Sequence, residues 1–246
     1  KKYLQTSTAL LSSRSRRANQ EIQKMKITIK PEVFQKLHPK FKVVFILATG
    51  IDNKSKVAEA NHLLKEVERV TLLTFNKDTF KSHYLVAPWT TAREEFGRKA
   101  KHYHTSVEQL LKKVLHYQNI TAKDTTSALL RYLALKHIVP VGADDPAKIK
   151  GKITFTISAG KKIKKGELYY HDDKNVLGTK LDYWKNPRTA LSSSSNSALL
   201  HFEILPPLTT AKQKELVKEV TELFPAFCGG KVKVMVLDKK KNSAVI

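Results

Sequence analysis

The stretch Phe41-Lys42-Val43-Val44-Phe45-Ile46-Leu47-Ala48 decides the fold. It is short, almost wholly apolar, rich in β-branched and aromatic residues, and it stops at Gly50 and Asp52-Asn53, so it reads as a buried strand ending in a turn. The period then changes. Over Lys54 to Arg69, Val57, Ala60, Leu64 and Val67 recur at helical spacing, with acids and lysines between them. A second amphipathic helix carries Val107, Leu110, Leu111, Val114 and Leu115 on one face and leaves Lys112 and Lys113 off it. Ser106 and Gln109 stand at capping-box spacing at its start. A third helix spans about Thr125 to His137 and ends before Pro140, after which Val141 to Pro146 reads as a turn.

Strands dominate the second half. Ile153, Phe155 and Ile157 alternate with Thr154 and Thr156, Leu168-Tyr169-Tyr170 runs into a turn at Asp172 to Asn175, and Leu199 to Leu205 reads as another strand. A helix through Leu216, Val217, Val220 and Leu223 and an alternating strand at Val232, Val234 and Val236 close the pattern. Strands and helices mixed without a βαβ repeat predict an α+β fold: one domain of mixed sheet with flanking helices over about residues 27–238. A basic N-terminal arm, residues 1–26, precedes it, and a basic tail, residues 239–246, follows.

The chain has 246 residues, with 45 Lys plus Arg against 22 Asp plus Glu, a formal net charge of +23. Such an excess repels itself and concentrates polyanions, so RNA or another anionic surface is the expected partner. Lys1 to Gln20 contains Arg14, Arg16 and Arg17, six Ser or Thr and no acid, the composition of a mitochondrial presequence. It predicts a mitochondrial matrix location; a disordered arm or truncated piece, with a cytoplasmic location, is the alternative. Two further basic runs, Lys161, Lys162, Lys164 and Lys165 before Gly166 and Lys239, Lys240 and Lys241, join Lys112 and Lys113 as candidate phosphate contacts. Trp89, Tyr103, Tyr169, Tyr170 and Trp184 lie near Lys or Arg and are candidates for base stacking, although core packing is the commoner use of each tryptophan. The single cysteine, Cys228, excludes an internal disulfide framework and a cysteine-built zinc cage, and no apolar run approaches the roughly 20 residues of a membrane span.

No P-loop, G-x-G-x-x-G or G-x-S-x-G is present, so nucleotide hydrolysis, dinucleotide chemistry and α/β-hydrolase catalysis lack their signatures. His102, His104 and His116 have no Cys or carboxylate at metal-ligand spacing, and Asp144-Asp145 and Asp172-Asp173 sit in turn contexts where Asp bonds local backbone. Neither a metal nor a cofactor is expected.

One resemblance organises the middle of the chain. Ala87-Pro88-Trp89-Thr90-Thr91-Ala92-Arg93-Glu94-Glu95-Phe96-Gly97, then Tyr103-His104-Thr105-Ser106-Val107-Glu108-Gln109-Leu110-Leu111, resembles the tRNA-binding B-three/B-four domain of the phenylalanyl-tRNA synthetase beta subunit in its freestanding form. Val139 to Asp145, Ile149 to Ile153, Gly166 to Asp172 and Arg188-Thr189 resemble further family pieces in the same order, so the likeness covers most of residues 41–237. The resemblance implies a domain that hydrolyses tyrosine wrongly esterified to tRNA by excluding the cognate side chain and positioning water, with no metal and no covalent nucleophile. It implies Glu167, Arg188 and Thr189 as pocket residues if editing is retained, with Gly142 and Gly166 shaping backbone. The departures bear on that activity. Ala128 and Arg131 stand where the family carries a D-x-x-N pair, and Ile138 replaces a Gly. A long cation in a pocket for a neutral side chain points to lost catalysis. The expected function is therefore an RNA-binding component of the translation machinery, a mitochondrial ribosome protein contacting ribosomal RNA or tRNA and neighbouring ribosomal proteins. The alternative is a freestanding hydrolase that deacylates mischarged aminoacyl-tRNA.

Overall fold

Lys42–Thr49 is a strand with its six central residues buried, and the layers on either side of it explain why it shows no polar alternation. The computed structural model describes residues 24–89, 104–160, 163, 165–179, 182 and 184–246. In chain order its first elements are β1 (Lys26–Ile29), α1 (Pro31–Lys36), β2 (Lys42–Thr49), α2 (Val57–Thr74), α3 (Ser106–Leu115) and α4 (Thr125–His137). Strands β3 (Val141–Asp144), β4 (Ile153–Ile157), β5 (Leu168–His171), β6 (Val176–Thr179), β7 (Trp184–Lys185) and β8 (Ser197–Ile204) follow. The chain closes with α5 (Thr210–Cys228), β9 (Lys231–Leu237) and β10 (Ser243–Val245). The mixed α+β class expected from the sequence is what the chain adopts.

Two sheets form. One is antiparallel with order β3-β8-β2-β9, and the other has order β10-β1-β4-β5-β6-β7, in which only β1 and β4 run parallel. On one face of β2, Val43, Phe45 and Leu47 join Ile27, Ile153, Phe155 and Tyr170 of the second sheet in a shared core. On the other face Val44, Ile46 and Ala48 pack with Leu129 and Leu133 of α4 and with Leu216, Val220 and Phe224 of α5. The order of layers is helices, four-stranded sheet, six-stranded sheet. A strand covered on both faces has no wet side to mark with polar residues. Strand β8, its neighbour, is buried at every position; Ala198, Leu200, Phe202 and Ile204 face the helices, which turns Leu199, His201 and Glu203 toward the second sheet. Helices α2 and α3 close a separate cluster around Leu64, Val67, Leu111 and Val114.

Four local expectations are corrected. The capping box of α3 belongs to Thr105 and Glu108, one residue earlier than Ser106 and Gln109: the Thr105 Oγ1 accepts from the Glu108 N–H and Glu108 Oε2 accepts from the Thr105 N–H. That shift frees the Ser106 hydroxyl to accept from the Val141 N–H. Val141–Asp144 is a strand and not a turn, because β8 supplies an antiparallel partner for it. The C-terminal residues do not form a free tail: Ser243–Val245 pairs with β1 and Ile246 is buried. Of the two tryptophans, Trp89 lies in the core and Trp184 is exposed.

Candidate functional site

A buried polar cluster interrupts the apolar layer between the sheets. Strand β8 contributes His201 and Glu203, and β3, paired with it in the register Gly142 to His201, contributes Asp144. The second sheet contributes Tyr170 from β5 and Lys185 from β7. Asp182 precedes β7 at a φ of 60°, a left-handed conformation that Asp tolerates better than most residues. Thr189 ends the short turn Pro187–Thr189.

Their contacts form one network. Lys185 Nζ donates to Asp144 Oδ2 at 2.8 Å and to the Tyr170 hydroxyl, and lies 3.7 Å from Asp182 Oδ1. The Tyr170 hydroxyl is 3.0 Å from Asp144 Oδ2 and 3.2 Å from Asp182 Oδ1. Thr189 Oγ1 donates to Asp144 Oδ1 at 2.5 Å. His201 Nδ1 sits 2.6 Å from Glu203 Oε1, and its Nε2 lies 3.3 Å from the Tyr170 hydroxyl and 3.5 Å from Asp182 Oδ2. Asp182, His201 and Glu203 each offer one metal-ligating atom, all within 4.8 Å of one another. Tyr170 also stacks on Phe155, with ring centroids 4.6 Å apart, so the ring is enclosed and unavailable to a base.

The electrostatics follow from burial and neighbours. Burial raises the Asp144 carboxyl, but Lys185 and His201 outweigh it and hold it below its usual value. Burial depresses the Lys185 ammonium, and Asp144 and Asp182 more than reverse that. Asp182 and Glu203 likewise push His201 up against the effect of burial. Burial itself raises Glu203 despite the attraction of His201. Tyr170 is pushed well above its ordinary range by burial and by Asp144 and Asp182, so it is a neutral donor.

Gly142 lets this packing exist. A Cβ there would stand 2.2 Å from His201 Nε2 and 2.4 Å from Asp182 Oδ2, closer than any side-chain carbon can approach. Beside the cluster opens a cleft of about 370 Å3, in the range of small-ligand sites, walled by Gln109 and Lys113 of α3, Ser127 and Arg131 of α4, and by Asp182 and Lys185. Arg131 does not fill it. Its Nη1 donates to the Ile120 and Thr121 carbonyls, both at 2.8 Å. Asp124 is committed to capping α4 through the Ser127 N–H and hydroxyl.

The residues singled out from the sequence do not converge. Thr189 belongs to the cluster, while Arg188 is exposed and binds Asp172 Oδ2 at 2.9 Å and the Lys148 carbonyl at 3.1 Å. Glu167 is half-buried just before β5, in phase with Tyr169 and out of phase with the cluster's Tyr170. Asp172 forms the expected turn, accepting from the Lys174 and Asn175 N–H groups. Asp144, expected in a turn, is instead a buried member of the network on β3. Lys112, Lys113, Lys165, Lys239, Lys240 and Lys241 are all exposed. Arg14, Arg16, Arg17, Lys161, Lys162, Lys164, Tyr103, His102 and residues 90–97 lie outside the described residues. Sequence reasoning passed over Asp182, Lys185, His201 and Glu203. The available signal was His-x-Glu inside an otherwise apolar strand, two polar side chains on one face of a segment with no wet side.

Comparison with models of known protein families finds no matching family, and comparison with curated proteins finds no matching relative. Among the described residues, no helix is long and apolar enough to cross a membrane.

Proposed function

We propose that this protein binds RNA of the translation machinery through its lysine-rich surface, without catalysis, in the setting of a mitochondrial ribosome. The observation that carries the reading is a groove of about 530 Å3 in which Lys40 and Lys42 meet Lys239 and Lys240, with Asp238 as its one acid. Four cations brought together from distant parts of the chain, on a protein of net charge +23, suit a run of backbone phosphates. The separation of Glu167, Arg188 and Thr189 supports the absence of catalysis. The Thr189 hydroxyl is spent on Asp144 and the Arg188 guanidinium on Asp172, so neither is poised over a substrate ester. The test is full-length protein titrated onto tRNA and a ribosomal RNA fragment across a salt series. Changing the four lysines to Gln should flatten the slope of log affinity against log salt by about 0.7–0.9 for each phosphate no longer neutralised. An unchanged slope refutes the groove as the RNA site.

One observation favours a second reading, hydrolysis of mischarged aminoacyl-tRNA: the cleft beside the cluster stays open because Arg131 is tied to carbonyls at 120 and 121. Release of amino acid from a panel of mischarged tRNAs above the buffer rate, slowed by Gln109→Ala in the cleft wall, would establish it in place of the first.

A further inference from the structure

Among the described residues, three carboxylates in the cluster, Asp144, Asp182 and Glu203, face two bases, Lys185 and His201, which leaves these groups one positive charge short even with both bases protonated. A buried unbalanced charge is costly, and such a site either neutralises a group or takes up a counter-ion. The shortfall is localised. Asp144 is satisfied on both oxygens, by Lys185 and Tyr170 on one and Thr189 on the other. Asp182 Oδ2 and Glu203 Oε2 are sealed from solvent and accept no hydrogen bond. The same two residues wall a cavity of about 10 Å3, lined also by Phe41, Phe155 and Tyr170, which is the room of a single water.

We propose that Asp182, His201 and Glu203 form a binding site for one divalent transition-metal ion, zinc being the best match, with a water in the adjoining cavity as the fourth ligand. One nitrogen and two carboxylate oxygens make a three-ligand set of the kind that holds zinc with one open position, and the imidazole selects against magnesium and calcium. The charge closes. A dication binds neutral imidazole, so the three carboxylates are balanced by Lys185 and the metal with nothing left over. The surroundings orient the ligands as outer-shell partners do: Tyr170 is 3.2 Å from the other oxygen of Asp182, and Lys185 is 3.7 Å from it. Asp182 also lines the open cleft, which provides the route of entry. This proposal stands apart from the RNA reading, since the lysine groove contains none of these residues.

The experiment uses the full chain, stripped with chelator and then titrated separately with zinc, cobalt(II) and magnesium. Expected are one equivalent of zinc retained through desalting, a visible cobalt(II) spectrum of low coordination number displaced by zinc, a rise in the thermal midpoint with zinc but not magnesium, and proton release on binding. Asp182→Asn and Glu203→Gln should each weaken zinc binding at least tenfold. Glu203→Gln also separates ligation from folding, because it removes the unbalanced charge: the metal-free variant should melt higher than the metal-free parent, yet show no zinc-dependent rise. Less than a tenth of an equivalent bound by the parent chain, or an unchanged equivalent bound by both variants, would overturn the proposal.

Discussion

Lys185→Met removes the one ammonium that the cluster holds among the described residues. Its ammonium is 2.8 Å from Asp144 Oδ2 and 3.7 Å from Asp182 Oδ1, and its loss leaves three buried carboxylates facing His201 alone. Deleting one partner of a buried ion pair costs about 3–5 kcal/mol. Because 27% of the Lys185 side chain reaches solvent, the lower end of that range applies, about 3 kcal/mol. At roughly 2–4 °C per kcal/mol for a chain of this length, the thermal midpoint should fall by about 6–12 °C. Far-UV circular dichroism followed through thermal unfolding at neutral pH reads this directly. The decisive control is Asp144→Asn combined with Lys185→Met, which removes one charge of each sign and leaves the cluster's balance as it was. The double variant should melt above Lys185→Met alone. A loss below about 1 kcal/mol, the worth of an exposed pair, or simple additivity of the two substitutions would refute the account of the cluster as a coupled ionic network.

Gly142→Ala forces a Cβ to within 2.4 Å of both His201 and Asp182, and overpacking of this kind should cost about 1–3 kcal/mol, read as a lower urea midpoint at unchanged slope. Glu219 ties α5 to α4 by accepting from Tyr132 and Lys136 and by contacting His137 Nε2 at 2.7 Å. Burial raises the Glu219 carboxyl, but its three partners outweigh that and hold it low, and burial also lowers His137. Both folded values lie below their unfolded ones, so this stability is present above about pH 6.5 and lost as pH falls, first through the His137 and then through the Glu219 titration. Urea midpoints below about pH 4.5 should show a steeper acid loss in the parent chain than in Glu219→Gln, whereas through the His137 window above it the variant, which lacks the partner that raises His137, should lose at least as much. Cys228 is buried and its thiol is pushed up to about 11 by burial, so a disulfide reagent at neutral pH should leave it unmodified until denaturant unfolds the chain. Prompt labelling of the native protein would contradict its place in the core.

Local periodicity carried most of the fold. The helices at 57–74 and 106–115 and the strands at 153–157 and 231–237 announce themselves by spacing, while the strand at 42–49 shows as an unbroken β-branched and aromatic run and the helix at 125–137 by its stop before Pro140. Where the reading failed, pairing at a distance decided the outcome. Val141 to Asp144 has a glycine and an acid, followed by Asp145-Pro146, that mark a turn, and it becomes a strand only because β8, more than fifty residues on, pairs with it. Ser243 to Val245, within the stretch 239–246 read as a basic tail, becomes a strand because β1, at the other end of the described chain, takes it as a neighbour. The capping box moved by one residue because Thr105 and Ser106 both satisfy the local rule, and Ser106 is claimed by the Val141 N–H.

The cluster was less legible for a reason that also gives it meaning. Its members come from β3, β5, β7, β8 and two connecting segments, so no window of sequence contains them together. A turn-like Asp144, an isolated Lys185 and a His-x-Glu in a strand are each unremarkable alone. The two-sheet packing makes them neighbours, and burial then converts ordinary charges into a network whose members shift one another. A protein of this size has ample apolar residues to fill such a layer, and Phe45, Phe155 and Leu199 do so beside it. Packed hydrophobic residues would serve stability at least as well as five ionisable groups with one charge unbalanced. The needs of the fold alone therefore do not account for the cluster, and Asp182, which borders both the small cavity and the cleft, is where the proposed metal site meets the surface.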